Sequence, residues 1–184
     1  MQTYFHDIEL KYDGTQLQPH FAYKNFNLQG DSIVSFIGPC DVNLAHLVDL
    51  EDIKKNAPIY SESMLHFIIE HFETDLSKII AYQRIFIDLV RQDLTESNHD
   101  LKLTRLGDDL FDQEYKLSVS IATASPVSCL IHTGINISSN NTPVLTKGLN
   151  DYEINPYATA TGVMNRYRAE IESMKMARCK VRGV

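Results

Sequence analysis

Residues 107–137, GDDLFDQEYKLSVSIATASPVSCLIHTGINI, change the period of the chain from helical to extended. β-Branched residues alternate with polar ones and turn residues punctuate them, so antiparallel strands are expected at Lys102–Leu106, Asp109–Asp112, Lys116–Thr123 and Val127–Ser138. In the third strand Leu117, Val119 and Ile121 share a face and leave Lys116, Ser118 and Ser120 on the other. In the fourth, Val127, Cys129, Ile131, Ile135 and Ile137 face one way, while Ser128, Leu130, His132, Gly134 and Asn136 face the other. Two neighbouring strands with a mostly polar second face either line a pocket or form a wet sheet surface. The alternation alone does not choose.

Working outward, Gln29-Gly30-Asp31 is a turn, and Ser32–Ile37 reads as a short buried strand that ends at Gly38-Pro39. Leu65, Ile68, Ile69 and Phe72 fall at helical spacing, so a helix is expected over 61–73 with Ser61 as its N-cap. A second helix is expected over 75–94 on the stripe Leu76, Ile79, Ile80, Gln83, Ile87, Val90 and Leu94. Ser138–Pro143 is a loop. Asn155-Pro156 starts a C-terminal helix marked by Val163, Tyr167, Ile171 and Met174. Strand, helices, meander and helix make an α+β protein, a mixed, mainly antiparallel sheet packed by helices.

The 184 residues correspond to one domain, 1–184, long enough to bury roughly 70% of its unfolded surface. Hydrophobic residues at 43% and charged residues at 22% are globular values. The formal net charge of -7 argues against a dedicated nucleic-acid binder, which needs a surplus of Lys and Arg. Lys175, Arg178, Lys180 and Arg182 form a local basic tail, which a solvated terminus explains. Cys40, Cys129 and Cys179 form no Cys-x-x-Cys pair, so neither a zinc ribbon nor a disulfide framework is expected. MQTYFHDIELKYDG at 1–14 has no cationic run before a long apolar stretch, so no signal peptide is expected. No apolar run approaches membrane-spanning length, and a reduced cytoplasmic protein with no membrane partner is the economical reading.

Phosphate-loop, dinucleotide and nucleophile-elbow signatures are absent. His66, Glu70 and His71 lack metalloprotease spacing and read as a packed or solvated helix face. Asp49, Glu51 and Asp52 could hold a hard cation, but acidic residues before a helix are commoner. Cys40, after Gly38-Pro39, is either a nucleophile activated by a cation or, more commonly, a small buried hydrophobe. Lys116 opens an alternating strand after a tight turn. There a cation either points into a sheet-lined cavity or guards an exposed edge.

Asp108-Asp109, Lys116 and Gly134-Ile135-Asn136 fall in the order in which biotin and lipoate protein ligases carry an Asn-Asp, a strand-opening lysine and a Gly-x-Asn. GDDLFDQEYKLSVSIAT and CLIHTGINI therefore resemble the catalytic core of those enzymes. YDGTQ at 12–16 is similar to the ligases' acidic-Ser-Thr-Asn segment, and SIVSFIGPC at 32–40 lies where their adenylate-binding strand and loop begin. Over nearly its full length the chain also resembles the largely archaeal family called domain of unknown function 366. The resemblance rests on Tyr12–Leu17, Gly30-Asp31-Ser32, Val48–Asp52 and Ser125–Ser128. It implies the fold shared by biotin ligases, lipoate ligases and class II aminoacyl-tRNA synthetase catalytic domains, and brings no known reaction. It implies Lys116 and Cys40 as catalytic candidates, and Asp13, Thr15, Gln16, Gly38, Asp109, Ser118, His132 and Asn136 as ligand-binding candidates.

Two departures bear on mechanism. Gly38–Val42 contains no arginine where the ligases carry a Gly- and Arg-rich phosphate loop, and Leu117-Ser118-Val119 lacks the glycine they place after the lysine. ATP-dependent adenylation is therefore doubtful, and the cofactor is left open. In octanoyltransferases a cysteine and a lysine share acyl transfer without ATP, a role that Cys40 or Cys129 could fill with Lys116. The expectation is an acyl- or cofactor-transfer enzyme acting on a small anionic molecule, with a non-catalytic ligand-binding protein as the alternative and a companion-subunit role third. An edge strand makes a homodimer a further expectation.

Overall fold

The computed structural model describes residues 1–57 and 59–184. The regular elements are β1 (Gln2–His6), α1 (Phe21–Phe26), β2 (Ser32–Val42), α2 (Leu50–Lys55), β3 (Ile59–His71), α3 (Leu76–Ser97), β4 (Thr104–Leu106), β5 (Asp109–Asp112), β6 (Tyr115–Lys116), β7 (Ser118–Ala124), β8 (Cys129–Asn136) and α4 (Pro156–Arg178). Five strands form one sheet in the order β1-β2-β3-β8-β7, and β4-β5-β6 form a small second sheet. Among the pairings between these strands of the described residues, only β1–β2 is parallel, so the α+β expectation holds.

The helix expected over 61–73 is instead β3, the central strand of the main sheet. The reason is burial on both faces. Leu65, Phe67 and Ile69 enter the core beneath α3 and α4, while Met64 and Ile68 enter a second cluster on the opposite side. A strand covered twice shows a continuous apolar run instead of alternation, and within such a run some positions fall at helical spacing by chance. Ser61 is correspondingly a buried strand residue opposite Cys40, not a cap.

The two long helices follow their stripes. Asp75 caps α3 by accepting from the Lys78 backbone N–H, and Asn155 caps α4 by accepting from those of Tyr157 and Ala158. Ile79, Phe86, Ile87, Val90, Val163, Tyr167 and Ile171 then pack onto one face of the sheet.

Strand β2 runs five residues beyond its expected end, through Val42, with a register shift between Gly38 and Cys40. Segment 10–12 lies alongside it: Leu10 N–H donates to Ile37 O, Tyr12 N–H to Pro39 O, and Asp41 N–H to Tyr12 O. A Cβ on Gly38 would stand 2.0 Å from Leu10 O, so the glycine admits a neighbouring backbone. The expected strand from Lys116 is also interrupted. Leu117 joins the core under the helices, whereas Val119 packs against the opposite cluster, so the two do not share a face. On β8 the expected parity is observed at Cys129, Ile131 and Ile135, and at Ile137 just beyond it, which point to the helices, whereas Val127 precedes the strand and is exposed.

The face opposite α3 and α4 is covered differently, by α1, the 10–17 segment, the short α2 and the 142–146 loop. A cavity remains there. No helix among the described residues is long and apolar enough to cross a membrane.

Candidate functional site

The β5–β6 hairpin builds the polar end of this cavity. Lys116 N–H donates to Leu145 O, Leu117 N–H to Leu110 O, and Asn136 N–H to Leu117 O, which fixes the backbone on both sides of the lysine. The Lys116 ammonium then lies 2.7 Å from Asp109 Oδ2, with its side chain 29% exposed. Burial pushes the Asp109 carboxyl upward, and the charge of Lys116 opposes that shift. Asp109 Oδ1 is buried without a hydrogen-bond partner. A buried acceptor left open is costly, so this oxygen is a position that a ligand donor or a proton would satisfy.

The cavity has a volume of about 290 Å³ and is lined by both apolar and charged groups, including Lys116, Asp49, Asp52, Asp108 and Asp109. Asp108 is held by Arg84 at 3.0 Å and accepts from Gln83 Nε2, which also donates to Ser120 Oγ. Asp49 caps α2 through the Glu51 N–H. Asp52, one turn on, has its carboxyl raised by burial and by Asp49. The acidic run at 49–52 thus precedes a helix as expected, while two of its carboxylates reach the cavity. Among the described residues no group of three acidic, histidine or cysteine side chains is arranged to hold a metal ion.

The far wall is aromatic. Tyr12 stacks on His132 with ring centroids 3.7 Å apart and planes 12° apart, and His66 stacks behind them against Phe36. His66 Nδ1 is 3.1 Å from His132 Nε2, and His66 Nε2 is 3.2 Å from Gly38 O. Burial lowers the His66 pKa to about 3, and burial together with His66 carries that of His132 well below its usual value. Both rings are neutral. The phenol of Tyr12 is also raised by burial and stays protonated.

Of the candidates from sequence, Lys116, Asp109, Ser118, His132 and Asn136 come together in this cavity. Ser118 Oγ is already occupied, accepting from the Leu110 N–H. Asp13, Thr15 and Gln16 do not line it. Thr15 donates to Asp13 Oδ1 from both its N–H and its hydroxyl, and Gln16 accepts from the Asp13 N–H while donating to Lys11 O. Their turn places the neighbouring Tyr12 and Leu17 in the wall instead. Gly38 lies behind His66, outside the lining.

Cys40 is fully buried with Tyr12 and Val42 in the second apolar cluster. Its thiol is pushed up to about 12 by burial and the nearby Asp41, so it stays protonated and is unsuited to nucleophilic attack. Cys129 is buried in the helix-side core. Neither thiol reaches Lys116's cavity, which removes the cysteine–lysine arrangement. Strand parity separates His71 from His66 and Glu70, and Glu70 stands four residues along the strand from His66. Glu70 accepts from Ser128 Oγ and the His20 N–H, and His71 Nε2 pairs with the Tyr167 hydroxyl at 2.8 Å.

Sequence reasoning did not select Tyr12, His66 or Asp52 as site residues. The even-residue face of β8 was the available signal for the aromatic wall, since it puts His132 beside whatever β3 presents at His66.

Residues 1–182 match the family model described as domain of unknown function (DUF366). The chain belongs to this family. An uncharacterized protein of Methanocaldococcus jannaschii, MJ0805, is 40% identical to it over 144 residues, covering 76% of this chain and 64% of its own length. A protein of unknown function from Pyrococcus horikoshii has the same fold at a TM-score of 0.90, with 34% identity and 99% of each chain covered. More distant structures share the architecture. The biotin protein ligase of Aquifex aeolicus aligns at a TM-score of 0.64 and 15% identity over 96% of this chain and 72% of the ligase. A putative lipoate protein ligase of T. acidophilum with bound lipoic acid aligns at 0.60 and 15% identity, over 92% of this chain and 86% of its own. The DUF366 chain therefore has the biotin/lipoate-ligase-like fold.

Proposed function

We propose that the cavity admits a small carboxylic acid whose carboxylate is held by Lys116, and that the protein carries out acyl or cofactor transfer on that acid. The observation that carries this reading is the Lys116–Asp109 pair, a cation fixed at the cavity wall beside a carboxyl group that burial disfavours as an anion. An incoming carboxylate competes well for the ammonium because its rival is already raised toward protonation. The lysine then also stands ready to stabilise negative charge developing on the acyl oxygen. Solved structures of this fold hold biotin and lipoic acid, which agrees with a small acid as ligand.

The lining is poorly suited to a nucleoside triphosphate. Four carboxylates face one ammonium, and 38–42 is paired strand where a phosphate loop would be needed. That observation favours a second reading, binding without turnover. Incubation with octanoate, lipoate or biotin, with and without ATP and Mg²⁺, separates the two. The transfer reading expects an acyl product trapped by hydroxylamine in the arm with ATP, which activates the acid and leaves as AMP and pyrophosphate or as ADP and phosphate. Saturable binding with no trapped product supports the second reading, and no binding of any acid overturns both.

A further inference from the structure

Two buried histidines in the cavity wall have no part in the proposed handling of the carboxylate. Their hydrogen bonds nevertheless fix which nitrogen carries each proton. Gly38 O can only accept, so His66 Nε2 must carry hydrogen, and a neutral His66 then presents a bare Nδ1. His132 Nε2, 3.1 Å away, must therefore donate to it. The opposite assignment would set the bare lone pair of His66 Nε2 against the carbonyl oxygen, two acceptors with no hydrogen between them. His132 is neutral as well, so its Nδ1 is a lone-pair acceptor. That atom has no partner among the described residues, on a side chain that lines the cavity. Tyr12, stacked on one ring face, restricts the ring's rotation.

We propose that His132 Nδ1 is a specificity-determining acceptor for a neutral N–H or O–H donor on the ligand, and that His66 is the positioning residue which transmits the tautomer from Gly38 O. The ligand class is thereby narrowed to small molecules that carry such a donor in addition to any carboxylate. A molecule with no donor would leave His132 Nδ1 desolvated and unpaired, which is how a polar site rejects its apolar analogue. This inference rests on the cavity's being a ligand site, and not on the role of Lys116.

The test uses ¹⁵N-histidine-labelled full-length protein and two isomeric probes, pentanamide with N–H donors and N,N-dimethylpropanamide without. Free protein should show hydrogen on Nε2 of both His66 and His132. Pentanamide should shift the His132 Nδ1 resonance saturably, and its isomer should bind at least about fivefold more weakly. Hydrogen on His132 Nδ1, equal responses to the isomers, or no response up to the solubility of pentanamide would overturn the assignment. In His66→Phe, His132 should become a mixture of tautomers and the preference between isomers should shrink. An unchanged His132 spectrum would sink the positioning role. Wild-type protein that responds to pentanamide but to no carboxylate refutes the carboxylate reading and leaves this one standing, and the reverse result refutes this one alone.

Discussion

The two faces of β3 solve the same packing problem in different ways. Leu65, Phe67 and Ile69 meet α3 and α4, whose long apolar stripes cover that face. Met64, His66 and Ile68, on the same strand, meet loops and helices of six residues, which leave a cavity between them. Regular helices can place an apolar side chain at every turn, whereas short segments must satisfy their own backbones with side chains such as Asp13, Gln16 and Asp49. Polar groups therefore collect on the loop-covered face. Function follows that division, because a ligand needs both space and unsatisfied polar atoms.

The sharpest way to break this comparison is to cut into the dry face. Phe67→Ala should cost about 3–5 kcal/mol in urea unfolding and leave acid binding by the residual folded protein unchanged. A cost below about 1 kcal/mol would mean that the face is not close-packed.

Acid should act through the other face. His66 and His132 are neutral in the folded protein but protonate near pH 6.5 once unfolded, so the unfolded state binds more protons. Stability should fall as pH drops below about 6.5, by up to roughly 1.4 kcal/mol per pH unit for each ring, until His66 titrates near 3. Asp31, held low mainly by His71, adds a loss in the same direction below its unfolded pKa. Asp109 acts oppositely, because its raised carboxyl favours folding as pH falls. A His66→Leu/His132→Leu variant should have a visibly shallower pH profile above pH 4 than wild type. Identical slopes would mean that the rings are charged or exposed.

A smaller effect is expected where the faces meet at the sheet's end. Gly38→Ala would drive a methyl into Leu10 O and should cost about 1–3 kcal/mol while moving Tyr12 off His132. Full stability in this variant would show that the 10–12 segment is not bound to β2. Smaller still is the effect of Asp13→Asn, which keeps one acceptor for Thr15 and should change stability by under about 1 kcal/mol without altering ligand affinity. A loss of affinity with no loss of stability would restore Asp13 to the site.

The sequence was readable where the two faces of an element differ in polarity. The stripes of α3 and α4 follow from that, and on β8, buried on both faces, His132, Gly134 and Asn136 still marked the cavity side. It misled at β3, where burial on both faces erased alternation and hid His66 on a false helix. Lys116 could be anticipated because it opens a strand after a tight turn, and Asp109 because Asp108-Asp109 resembles the ligases' Asn-Asp. The arrival of Asp49 and Asp52 at the same cavity depends on how α2 folds over the sheet, which no local pattern encodes. Cys40 stood just past the expected end of β2, where a reactive thiol and a buried one were both open readings, and β2 instead continues to Val42. Pairing with the 10–12 segment extends the strand and seals the thiol.

Thermal unfolding of wild type and Lys116→Met with octanoate, lipoate and biotin tests the central claim most directly, because a ligand of the folded state raises the melting temperature by mass action. The account predicts a rise for at least one acid in wild type, no rise in the variant, and equal melting temperatures for the two ligand-free proteins. A ligand-free variant that melts far below wild type, or one that responds to the acid as wild type does, would contradict it.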